Sequence, residues 1–156
     1  MTLHKSKQSP INLQSAAKSD VRTQFAALCF RIKDGETQIL LITSRGSGRW
    51  IIPRGWPMDN KTPCEAALTE AWEEAGVTGK AYEVSLGLYS YTRDIGEEKQ
   101  VPCVAMVYPV RVKNLAHEFP EAGQRKRKWL SPKQAAQRVS DPELAYILKG
   151  FDPGKL

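Results

Sequence analysis

The stretch 62–76 constrains this chain most, because both of its ends are set by their own chemistry. Thr62 stands at an N-cap position, Pro63 at the first helical position, where its missing N–H is harmless, and Glu65 three residues after the cap. That is a capping box with proline in its preferred place. Gly76 stands where a helix closes on a left-handed residue. The spacing predicts a helix over 63–75. Along it Glu70, Glu73 and Glu74 occupy i, i+3 and i+4, so at about 100° per residue they share one arc, with Trp72 on the other side. Like charges so spaced destabilise a helix by about 0.2–0.5 kcal/mol per pair. The positions four residues away, where Lys or Arg would relieve them, hold Ala66, Val77 and Thr78. A hard divalent cation such as Mg²⁺ is the other natural relief, since it takes oxygen ligands, bridges phosphate oxygens and acidifies bound water. An ordinary solvated face is the competing reading of the same cluster. The loop Arg54-Gly55-Trp56-Pro57 upstream favours the metal reading, because its glycine permits close backbone approach and a carbonyl there can complete the coordination.

Strand signals surround this helix. Residues 25–32, 39–43 and 50–52 are short apolar runs, the first closed by the turn Lys33-Asp34-Gly35 and the third stopped by Pro53. A further strand is predicted over 81–93, and a long β-branched run over 101–112 belongs at the centre of a sheet. Helices are predicted over 132–139 and 142–149. Strands with a helix in mid-chain and more helix at the end make an α+β fold, a sheet covered by helices. The 156 residues, 41% hydrophobic and 26% charged, correspond to one domain's worth of chain. We divide it into an N-terminal arm (1–20), one domain (21–150) and a tail (151–156). The arm is polar and carries no apolar signal core; its scarcity of acidic residues suits an organellar transit segment, its lack of arginine does not, and a cytoplasmic location is expected. No run approaches the roughly 18 apolar residues of a membrane span. Cys29, Cys64 and Cys103 lack zinc-site or disulfide-scaffold spacing, and Cys29 and Cys103 read as buried small hydrophobes. His4 and His117 offer no catalytic pair.

Residues 55–77, GWPMDNKTPCEAALTEAWEEAGV, resemble the Nudix box, with Gly55, Glu70, Ala71, Glu73, Glu74, Gly76 and Val77 where its pattern has them. Lys61 stands in place of the first Glu and Thr69 in place of the Arg, two residues that form a supporting ion pair in the family; losing both together leaves no orphaned charge. Leu28-Cys29-Phe30, Thr43-Ser44-Arg45, residues 49–53 and residues 125–130 resemble the diphosphoinositol polyphosphate phosphohydrolase branch. The resemblance implies a Nudix α/β/α sandwich around a mixed β-sheet. It also implies Mg²⁺- or Mn²⁺-dependent hydrolysis of a phosphoanhydride in a small-molecule polyphosphate. By position, Glu70, Glu74 and the main-chain carbonyl of Arg54 are implied as metal ligands and Glu73 as the base, though the division of roles among the glutamates varies in the family. Arg45 and Arg125 are implied as phosphate contacts, with Arg22, Arg93 and Lys99 as weaker candidates. Asp141 falls where the branch has a phosphate-binding lysine, which argues against a diphosphoinositol polyphosphate and leaves dinucleoside polyphosphates and nucleoside diphosphate derivatives beside it.

The chain holds 23 Lys and Arg against 17 Asp and Glu, a net charge of +6 that welcomes an anion without a nucleic-acid motif to specify one. In a strand, Arg125 and Arg127 would face one side and Lys126 and Lys128 the other, either toward a ligand or as a basic edge that discourages aggregation. Trp50 and Trp56 flank the presumed site and either pack or stack on a base, packing being favoured. Two alternatives to a hydrolase follow: a catalytically silent module that senses a nucleotide such as ADP-ribose, motivated by Lys61 and Thr69, and an RNA-binding or RNA-processing protein, motivated by the net charge and the run Arg125 to Lys128. No specific nucleic-acid partner is expected.

Overall fold

The computed structural model describes residues 4–5, 10, 22–94 and 100–156. In chain order the elements are β1 (His4–Lys5), β2 (Thr23–Lys33), β3 (Glu36–Thr43), β4 (Trp50–Ile51), β5 (Arg54–Gly55) and helix α1 (Pro63–Ala75). They continue with β6 (Val77–Ala81), β7 (Val84–Ser85), β8 (Gly87–Asp94), β9 (Gln100–Leu115), β10 (Arg127–Leu130), α2 (Pro132–Arg138) and α3 (Pro142–Lys149).

The apolar run 25–30 makes β2 a strand buried on both faces, and this organises everything else. Ala26, Leu28 and Phe30 face one core with Tyr89, Tyr91, Leu144 and Leu148, under α2 and α3. Phe25, Ala27 and Cys29 face the other with Cys64, Ala67 and Ala71, under α1. The sheet runs β10-β3-β2-β9-β6, with β4 on β3, β5 on β2 and β8 on β9. The β2–β9 pair is parallel and the other pairs of this sheet are antiparallel, so the sheet is mixed, as the fold class requires. A separate small pair joins β1 to β7.

The long run near the centre extends beyond 101–112, and its length reshapes its neighbour. β9 is 16 residues long, more than one partner covers. β6 pairs with its end (Val77 opposite Leu115) and β8 with its beginning (Gly87 opposite Val107). The single strand predicted over 81–93 is therefore broken between these partners, at Leu86, which turns into the core, and at Gly87, whose φ of 141° few other residues adopt. The predicted loop at Arg54-Gly55 is a two-residue strand on β2, with Ala26 opposite Arg54 and Phe25 opposite Gly55. Both C-terminal helices are present. The tail is packed, with Phe151 buried and its ring 5.0 Å from that of Phe30. The three cysteines are buried and free. Among the described residues no helix is long and apolar enough to cross a membrane.

Candidate active site

Helix α1 starts and stops as its sequence dictates. The Thr62 hydroxyl accepts from the Glu65 N–H, the Glu65 carboxylate accepts from the Thr62 N–H, and Gly76 closes the helix at φ 71° with its N–H on Trp72 O. The two residues that depart from the box pattern bond to each other: Lys61 Nζ donates to Thr69 Oγ1 at 2.7 Å. A neutral acceptor thus ties the loop to the helix at the place where the family pattern has an ion pair.

The acidic arc does not face open solvent. Glu74 is 5% exposed and shares a side-chain hydrogen bond with Glu70. Glu70 in turn lies against Gly55, where a Cβ would overlap its carboxylate. The β5 glycine therefore makes room for the acid. Burial, then the Glu70 contact, pushes the Glu74 carboxyl well above the ordinary range, against the pull of Arg125. Burial also raises Glu70, although its bond with Glu74 opposes this. Of the two neighbouring carboxyls, Glu74 is the more deeply buried.

The relief that α1 lacks locally comes from far along the chain. Glu121 N–H donates to Glu73 O at 3.0 Å, which docks the segment before β10 onto the end of α1. Arg125 then points inward, its Nη2 3.5 Å from Glu74 Oε1 and 3.0 Å from Glu121 Oε1, its Nη1 donating to Thr43 O at 3.1 Å. Its side chain is only 8% exposed, so the expected phosphate contact is committed to partners within the protein. Arg45 is the open one: 60% exposed, 3.4 Å from Glu121, and hydrogen-bonded to Gln124. Both line a cavity of about 730 Å³ together with Glu70, Glu74 and Arg54. Arg93 lines it too, its guanidinium 5.0 Å over the Trp56 ring, whereas Arg22 is outside it and bonds through its carbonyl to Val104 N–H. Lys99 lies outside the described residues. Trp50 and Trp56 both pack against the core.

The basic run alternates in burial: Arg127 is half-buried, while Lys126, just before the edge strand β10, and Lys128, on it, are exposed. Arg127 donates to Ala75 O (2.9 Å) and Ala116 O (2.8 Å), so it caps α1 and is turned away from ligands.

Glu121, Gln24 and Tyr91 line the cavity without having been singled out in the sequence. Only Glu121 carried a local signal, its i,i+4 spacing from Arg125. The donor chemistry fits a hard divalent ion: the buried Glu74 and half-buried Glu70 carboxylates lie together, both shifted upward, in surroundings that offer oxygen. It is a pair, however, because no group of three or more His, Cys, Asp or Glu among the described residues is gathered to hold a metal ion.

A family model described as "NUDIX domain" matches residues 22–151 of this chain. Nudix hydrolase 12, mitochondrial, of Arabidopsis thaliana is 30% identical over 64% of this chain and 51% of its own length, so the chain spans about half of that relative. Diphosphoinositol polyphosphate phosphohydrolase 3-alpha of Homo sapiens is 32% identical over 70% of this chain and 64% of its own. Among solved structures, the Ap4A hydrolase of C. elegans superposes with a TM-score of 0.58 at 18% identity, covering 83% of this chain and 94% of that one.

Proposed function

The chain belongs to the Nudix family, and from that premise we propose that it hydrolyses the phosphoanhydride bond of a diphosphate joined to a further group, with Mg²⁺ or Mn²⁺. The substrate classes in view are nucleoside diphosphate derivatives, dinucleoside polyphosphates and diphosphoinositol polyphosphates. One observation carries the reading: the buried Glu74 carboxylate and the half-buried Glu70 line one cavity, Glu70 against a glycine that leaves room for it, with Arg45 exposed at the same cavity.

In this reading Glu70, Glu74 and the carbonyl of Arg54 hold the metal, and Glu73 accepts the proton of the attacking water. When bound, the metal supplies charge to the phosphate oxygens and lowers the pKa of water. Arg125, itself held by Glu121 and the Thr43 carbonyl, keeps Glu74 in place. Arg45, exposed at the rim, receives a substrate phosphate.

The reading of a silent ADP-ribose sensor rested on Lys61 and Thr69, whose 2.7 Å hydrogen bond still ties the loop to the helix and so supports the hydrolase reading. The RNA reading loses Arg125 and Arg127, both engaged inside the protein. The test is product release from ADP-ribose, diadenosine tetraphosphate and a diphosphoinositol polyphosphate, each with Mg²⁺ and Mn²⁺. Glu70→Gln, Glu73→Gln and Glu74→Gln are assayed separately. Hydrolysis of one class that needs the metal and falls about 100-fold or more in Glu74→Gln is the expected result. Rates unchanged in all three variants would remove the mechanism.

A further inference from the structure

One carboxylate outside the acidic arc ties three parts of the chain together. Glu121 stands between β9 and β10, and its own N–H donates to Glu73 O at 3.0 Å, so the last turn of α1 fixes its place. Its Oε1 accepts from Nε (3.1 Å) and Nη2 (3.0 Å) of Arg125. Arg45 Nε lies 3.4 Å from the same oxygen, and that side chain also donates to Gln124. The Glu121 carboxylate, 19% exposed, thus sits between an inward guanidinium and an open one.

For the acids of α1, what matters is where the charge of Arg125 goes. Both hydrogen bonds that its guanidinium makes to a carboxylate go to Glu121, and its approach to Glu74 is longer, 3.5 Å. An inward guanidinium beside Glu74 with nothing to balance it would compete with any cation meant for that acid, and repel it through poorly screened surroundings. When both acids are ionised, Glu70, Glu74 and Arg125 together carry one net negative charge, too little for a divalent ion. Glu121 supplies the second. The two groups act in opposite senses on Glu70 and Glu74: Arg125 favours the ionised carboxylates and Glu121 opposes it. Glu121 is not itself gathered with them as a ligand, since among the described residues no three His, Cys, Asp or Glu form a group placed to hold a metal ion.

We infer that Glu121 is a positioning residue for the metal, acting through Arg125: by taking up the charge of that guanidinium, it leaves Glu74 open to a divalent cation. This rests on the hydrolase reading above, which gives Glu70 and Glu74 to the metal, and it adds a residue that touches neither the metal nor the reacting atoms. The same carboxylate holds Arg45 at the rim, so one group sets both the metal side and the phosphate side of the cavity. A packing role needs no charge at position 121. A counterweight to Arg125 does.

The test is Mn²⁺ affinity without substrate, read from the free ion by electron paramagnetic resonance. The wild type is compared with Glu121→Gln, Glu121→Asp and the double variant Glu121→Gln/Arg125→Met. Glu121→Gln keeps the size of the side chain and the backbone bond to Glu73 but loses the charge, and is expected to weaken Mn²⁺ binding about tenfold or more. Glu121→Asp keeps the charge and loses less. In the double variant the unbalanced cation is gone, and affinity returns to within about threefold of the wild type. Urea unfolding of each metal-free variant runs alongside. The double variant is expected to be the less stable and yet to bind better than Glu121→Gln, a reversal that a merely structural role does not produce. Full affinity in Glu121→Gln overturns the inference. So does a double variant that binds no better than Glu121→Gln, the outcome expected of a direct ligand or a structural support. Should the double variant fail to fold, Glu121→Asp decides, and a loss equal to that of Glu121→Gln overturns the inference. A wild type that takes up no Mn²⁺ sinks the hydrolase reading and this one together.

Discussion

Gly55 contributes to the site by what it lacks. The space a Cβ would occupy is taken by the Glu70 carboxylate, so Gly55→Ala must push that acid away from Glu74. A displacement of about an ångström at a catalytic group costs on the order of 100-fold in rate. We expect that loss in metal-dependent hydrolysis for Gly55→Ala, with a near-normal circular dichroism spectrum; full activity would show that Glu70 has room to spare. Glu74 and Arg125 raise a different point at this scale. The spacing of three glutamates was plain in the sequence, but their unequal burial was not. Which of them meets its neighbour depends on Gly55 from one side and on Arg125 from the other. Neither is set by helical periodicity.

At the scale of elements, α1 shows how far local chemistry reaches. Its N-terminus is self-contained: Thr62→Ala removes one side of the capping box and should cost about 1 kcal/mol in denaturant unfolding. Its last turn carries no basic residue of its own. The cation that belongs there by the helix dipole is Arg127, 52 residues away from the Ala75 carbonyl it bonds. Arg127→Leu therefore orphans two carbonyls and is expected to destabilise by about 1–3 kcal/mol, read from the midpoint of urea unfolding. An unchanged midpoint would mean that water replaces the guanidinium. The same reasoning explains why residues 125–128, a basic run when read in sequence, expose only Lys126 and Lys128 in the fold.

The whole molecule is built outward from a strand with two buried faces. A run such as residues 25–30 demands cover on each side, and α1 supplies one cover and α2 with α3 the other. Phe151 completes the second cover, packed on Phe30 beyond the end of α3. Phe151→Ala should lower stability by about 3 kcal/mol or more, checked by thermal and urea unfolding together. A loss below about 1 kcal/mol would show that the tail lies on the domain without closing it.

The extent of α1, an apolar strand over 25–32, the α+β class and the acids behind a glycine were legible along the chain. All of these follow from hydrogen bonds, rotamers and periodicities that act within a few residues. Only packing set the unequal burial of Glu70 and Glu74, and drew Arg125 inside while Arg45 stayed open. It also decided that β5 turns Gly55 and Arg54 to opposite faces. Those outcomes depend on which strands lie side by side and on how much water remains between them. Charge and burial act through space, and strand order brings together residues that the chain keeps far apart.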